Sequence, residues 1–137
     1  MGYKRKARVV FLSSGDGCRA MLAAVFANTT GAEFIEARAM VLHPVPPAPA
    51  LVSALRETGV TLAEHMPTPF DAGTLAWADL VVTLDEAADR ACPAVHEWTQ
   101  KRCYPFAHPT DLDSLCQVRD AIKRRVEGMV SGMAMIT

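Results

Sequence analysis

Apolar residues gather in short runs, divided by patches of small, charged or proline-rich residues, and the spacing inside each run assigns its element. Arg8 to Leu12 carries Val9-Val10-Phe11-Leu12 without a polar break, which predicts a strand buried on both faces. Ala20 to about Asn28, with Met21-Leu22-Ala23-Ala24-Val25-Phe26 at its heart, predicts the helix that follows. Glu33 to Ala37 is a weaker strand, and Glu33 and Glu36 place it at a sheet edge. Pro44, Pro46, Pro47 and Pro49 interrupt regular structure, but Pro49 suits the first position of a helix. Leu51, Val52 and Leu55 give that helix one apolar face, and Gly59 stops it. Asp79 to Leu84 predicts a buried strand ending at Asp85, and Arg102 to Phe106 a short fourth strand. Thr110 can cap a last helix, along which Leu115, Val118, Ile122, Val126 and Met129 keep helical spacing.

Four strands interleaved with helices predict an α/β domain over residues 1–137, a four-stranded parallel sheet with helices on both faces. In such a sheet, ligands sit beyond the C-terminal strand ends. Three segments converge there: Ser13 to Arg19, Asp85, and the Ala107-His108-Pro109 turn.

Composition narrows the classes. Half of the 137 residues are apolar and 21% are charged, which is globular, and a formal net charge of −1 argues for no nucleic-acid or membrane partner. The basic lead-in Tyr3-Lys4-Arg5-Lys6-Ala7-Arg8 reads as a solvated approach to the first strand. No apolar run nears the ~20 residues of a bilayer span, and Val9 to Leu12 is too short for a signal peptide, so a cytoplasmic address is expected. Cys18, Cys92, Cys103 and Cys116 form no Cys-x-x-Cys pair and read as free thiols. No metal site and no cofactor are expected, and Trp77 and Trp98 are expected to cover the rim of the ligand site.

The chemistry lies in Ser13-Ser14-Gly15-Asp16-Gly17-Cys18-Arg19. A small-residue turn between a buried strand and a helix aims backbone N–H groups and the positive helix end at one point, as an anion cradle does. Arg19 adds a planar, permanently charged fork suited to phosphate or arsenate. Gly15 and Gly17 supply permissive backbone. Asp16 is a poorer fit, since a carboxylate there repels an anion unless it bonds loop amides.

This frame resembles the low-molecular-weight protein tyrosine phosphatases and the related thioredoxin-coupled arsenate reductases, whose loop reads Cys-x5-Arg after the first strand. Gly15, Cys18 and Arg19 match it, with Asp16 where Asn is usual. The likeness runs in order through Pro49 to Thr61, Asp79 to Leu84, Cys92-Pro93, Phe106-Ala107-His108-Pro109 and Gln117 to Ile122. It implies the phosphotyrosine phosphatase I-like fold. It also implies that position 13 belongs to the nucleophilic cysteine, position 108 to an aspartic general acid, and positions 85 and 92 to two relay cysteines. This chain has Ser13, His108, Asp85 and Cys92 there. A hydroxyl ionises far less readily than a thiol, and Asp85 forms no disulfide.

The resemblance therefore implies a pseudoenzyme: a phosphate-, sulfate- or arsenate-like anion held by Ser13, Ser14, Gly15, Asp16, Gly17, Cys18 and Arg19, free or on a phosphorylated protein, with little or no turnover. Two alternatives stand beside it. One is a genuine phosphatase or arsenate reductase in which Ser13 replaces a native cysteine; His108, at the general-acid position, is of a residue type that can act as an acid near neutral pH. The other is a regulatory module without anion binding, its cradle blocked by Asp16.

Overall fold

The structure is a computed structural model that describes residues 5–59 and 66–136. Five parallel strands, β1 (Ala7–Ser13), β2 (Ile35–Val41), β3 (Thr68–Pro69), β4 (Leu80–Thr83) and β5 (Gln100–Cys103), form one sheet in the order β3-β2-β1-β4-β5. The helices are α1 (Cys18–Thr30), α2 (Pro49–Glu57), α3 (Ala72–Trp77), α4 (Glu86–Ala91) and α5 (Leu112–Ile136). The expected four strands are all present, and a fifth, β3, joins them. It has two residues, pairs only with Met40 and Val41, and includes Pro69, so it carries no periodicity of its own.

β1 is central, in register with β2 from Ala7 opposite Ile35 to Ser13 opposite Val41, and with β4 from Val9 opposite Leu80 to Leu12 opposite Thr83. Its unbroken apolar run is explained by burial on both sides. Val9 and Phe11 join the core beneath α1, α2 and α5, whereas Val10 and Leu12 join the core beneath α3 and α4. Ala20, Ala23 and Ala27 of α1 are fully buried, and such small side chains let the helix lie close to both the sheet and α5.

β2 runs later than Glu33 to Ala37. Its first half exposes Glu36 and Arg38 as an edge would, and its last two residues are covered by β3. β5 begins two residues before Arg102, but backbone bonds from Tyr104 N to Thr83 O (2.9 Å) and Phe106 N to Leu84 O (3.0 Å) continue the pairing past it. α5 is capped by Asp111, not Thr110: Asp111 Oδ1 accepts from Ser114 N at 2.8 Å, and Ser114 Oγ accepts from Thr110 N at 2.9 Å. Pro49 opens α2 and Gly59, at φ 78°, follows its end. The exit over Val60 and Thr61 lies outside the described residues, as do Tyr3 and Lys4 of the basic lead-in. Arg5, by contrast, is anchored to Asp79 by two bonds of 2.6 and 2.8 Å.

Both tryptophans stand at the opposite end of the sheet from the strand C-termini. Trp77 and Trp98 precede β4 and β5, with Arg38 stacked over Trp77 at 3.9 Å and His96 on Trp98 at 4.2 Å. The expected rim position is corrected by strand direction. Among the described residues, no helix is long and apolar enough to cross a membrane.

Candidate functional site

β1 ends in Ser13, still bonded through its carbonyl to Leu42 N at 3.0 Å, and the chain then turns sharply into α1. Two left-handed glycines make the turn, Gly15 at φ 73° and Gly17 at φ 75°. Gly15 O accepts from Val45 N at 3.1 Å, which lays the proline segment against the loop. At Gly17 a side chain is excluded twice over, because a Cβ there would fall 2.5 Å from Pro67 Cγ and 2.6 Å from Val41 Cγ2. Neither Val45 nor Pro67 was legible as a loop support, since both contacts are long-range.

Asp85 ties the loop to the rest of the site. Its Oδ1 accepts from Ala88 N (2.8 Å), capping α4, and from Ser14 Oγ (3.0 Å). Its Oδ2 accepts from Ser14 N (3.0 Å) and lies 3.3 Å from Arg19 Nη2. Burial pushes the Asp85 carboxyl upward, but the Ser14 and Ala88 donors and the Arg19 charge outweigh it, and its pKa lies below the ordinary carboxylate range. An acidic residue three positions before Ala88 is a readable N-cap; its reach back to Ser14 is not.

Arg19 is buried with its guanidinium inward, Nη1 donating to Phe106 O at 2.8 Å beside the Asp85 pair. An arginine at a helix start opposes the dipole, and these two internal acceptors supply its reason. Asp16 spends one oxygen on the loop amide of Cys18 (3.0 Å) and the other on His108 Nε2 (2.6 Å). That bond draws the 106–109 segment over the loop, so Ser13, Asp16, Arg19, Asp85 and His108 gather at one strand-end site. Cys92 does not join them. It closes the far end of α4, about 9 Å along the helix from its start.

Ser13 is completely buried, and its Oγ is the one buried side-chain atom among the described residues without a hydrogen-bond partner. No carboxylate or imidazole accepts its proton. The arrangement thus gives Ser13 no base, and the Ser14 and Cys18 donors and the Arg19 guanidinium are engaged by Asp85, Asp16 and Phe106 O.

The sequence profile of the low molecular weight phosphotyrosine protein phosphatases matches residues 8–134, which include every group just described. The chain belongs to this family. Within it, the chain is 29% identical over 126 residues to arsenate reductase 2 of Staphylococcus epidermidis, covering 89% of this chain and 95% of that one. Solved structures share the fold. A thioredoxin-dependent arsenate reductase of Corynebacterium glutamicum superposes with a TM-score of 0.77 at 16% identity, covering 96% of this chain, which spans only 64% of that longer protein. An arsenate reductase in the phosphate binding state gives 0.69 at 23% identity, covering 93% and 98%. A Cys-to-Ser mutant of the YwlE arginine phosphatase, its active site serine phosphorylated, gives 0.70 at 16% identity, covering 93% and 95%.

The four cysteines differ in burial and in the charges around them. All four are free. Burial, reinforced by Asp16 and partly offset by Arg19, pushes the Cys18 thiol up to about 12. Burial also raises Cys92. Iodoacetamide at pH 8 is therefore expected to label exposed Cys103 well before Cys18 in the folded protein, read by mass spectrometry of the digest. Equal labelling of the two would contradict the burial and charge assigned to Cys18.

Proposed function

We propose that the chain is a degenerate member of its family, which holds phosphate- or arsenate-like oxyanions in the 13–19 loop, free or carried on a protein side chain, with little or no turnover. The orphaned Ser13 Oγ carries this reading. A buried hydroxyl without a partner costs about 1–3 kcal/mol, and an oxyanion would accept its hydrogen bond once the loop opens enough to uncover it. The same hydroxyl lacks the base that would make it attack. The arsenate reductase in the phosphate binding state, of this fold, supports a phosphate-like anion as the ligand.

Calorimetric titration with inorganic phosphate tests the binding, with Ser13→Ala as its companion. Loss of the unpaired hydroxyl is expected to stabilise the anion-free chain by about 1 kcal/mol, or ~4 °C in melting temperature, and to weaken phosphate severalfold. A variant that melts lower and binds phosphate unchanged would refute the role given to Ser13.

One observation favours the module without anion binding: Asp85 already engages Arg19 and both donors of Ser14. The two readings separate cleanly. Under the second, phosphate produces no heat with the unmodified chain.

A further inference from the structure

Among the described residues β5 is the last strand of the sheet, with one edge unpaired, and all four of its residues are exposed. Between this edge and α5 lie two adjoining hollows of about 470 and 430 Å³, which share Tyr104, Arg124 and Arg125. Arg102 lines the same groove. The arginines here are outside the ion pairs of the described residues. Arg5, Arg38, Arg90 and Arg119 each rest on a carboxylate, whereas none of the ion pairs among the described residues includes Arg102, Arg124 or Arg125. Arg102 bonds only the neutral Gln100 Oε1 and Tyr104 OH, both at 3.3 Å, and Arg125 lies over the Tyr104 ring at 4.1 Å. Arg102 and Arg125 held this way, with Arg124 beside them, form a local positive field that no ion pair among the described residues answers.

The floor points the same way. Gly128 and Gly132 stand one helical turn apart along the second hollow, and a Cβ at either would meet nothing within 4 Å. A glycine in an exposed helix interior costs about 1 kcal/mol against alanine, and this chain's own packing demands neither. Their effect is to leave the α5 backbone open to close approach.

We propose that this groove docks an extended acidic segment of a partner protein. The free edge of β5 presents a row of backbone N–H and C=O groups that a peptide can pair with as an added strand. The guanidiniums match its carboxylates in bidentate geometry. From Ala121 to Gly132 the α5 wall runs about 16 Å, room for roughly five extended residues. This surface is separate from the 13–19 loop and stands whether or not that loop holds an anion.

The test is fluorescence anisotropy with a fluorescein-labelled peptide of alternating Glu and Val. Saturable binding is expected, falling as sodium chloride is raised. The double variant Arg124→Ala/Arg125→Ala is expected to weaken it at least tenfold with its circular dichroism unchanged, since both side chains are exposed on α5. Gly128→Leu, which fills the floor without altering charge, is expected to weaken it as well. The proposal is overturned by absence of binding, by binding that survives the arginine pair, or by tighter capture of a single-stranded oligodeoxynucleotide through the same arginines. Displacement by inorganic phosphate at matched ionic strength would seat the peptide in the 13–19 loop and overturn it too.

Discussion

Ser13→Cys alone is expected to leave hydrolysis of phenyl phosphate slow, and the triple variant Ser13→Cys/Asp16→Asn/His108→Asp to raise it about a hundredfold further. Sulfur at position 13 would supply a nucleophile whose thiolate the loop amides and Arg19 stabilise. It would not supply a proton for a phenoxide leaving group, and a positioned general acid is worth about 10²–10⁴-fold. The third change follows from geometry. Asp16 Oδ2 lies 2.6 Å from His108 Nε2, so His108→Asp by itself would set two carboxylates face to face. Asn at position 16, the usual residue in the resembling loops, removes that repulsion. Steady-state rates of the three proteins decide the matter. If Ser13→Cys alone matches the triple variant, His108 already serves as the acid, and the chain is a genuine enzyme with serine standing in for its cysteine.

Arg19→Ala is expected to lose phosphate affinity at least tenfold and about 3 kcal/mol of stability together. A hydrogen bond to a charged group is worth about 1.5–3 kcal/mol, which sets the first figure. The second arises because the substitution strands a buried carboxylate and the Phe106 carbonyl. Chemical denaturation and calorimetry measure the two effects separately. The pH dependence identifies the stranded partner. The folded pKa of Asp85 is depressed, so its contribution is full above the ordinary carboxylate range and is lost as pH falls through the lowered value. Arg19→Ala should shrink that acid-side loss. Unchanged stability and unchanged acid sensitivity would mean that the Arg19–Asp85 pair does not hold the site.

The elements that build the site were legible because their signals are local. An apolar run, seven small or polar residues and a helical run gave β1, the loop and α1 to within about two residues at each end. β3 left no trace, because two residues paired only to Met40 and Val41 have no period to detect. The tryptophans were misplaced for a different reason: both lie just before strands, and in a parallel sheet that puts them at the end away from the ligands. Asp85 is the instructive residue. As a departure from a cysteine pattern it reads as a loss, yet in the fold it caps α4, holds Ser14 and pairs with Arg19. Two of those three bonds reach across about seventy positions, and nothing local announces them. Asp16 behaved as its chemistry required, with one oxygen on a loop amide and the other on His108.

The central claim is binding without cleavage, and one ³¹P NMR experiment reads both. The unmodified chain is mixed with excess phenyl phosphate and followed for hours at neutral pH. The expected record is a shifted or broadened ester resonance that free phosphate restores by competition, with no inorganic phosphate peak growing in. An ester resonance identical to that in buffer, or its steady conversion to inorganic phosphate at the rate of an active phosphatase, would contradict it.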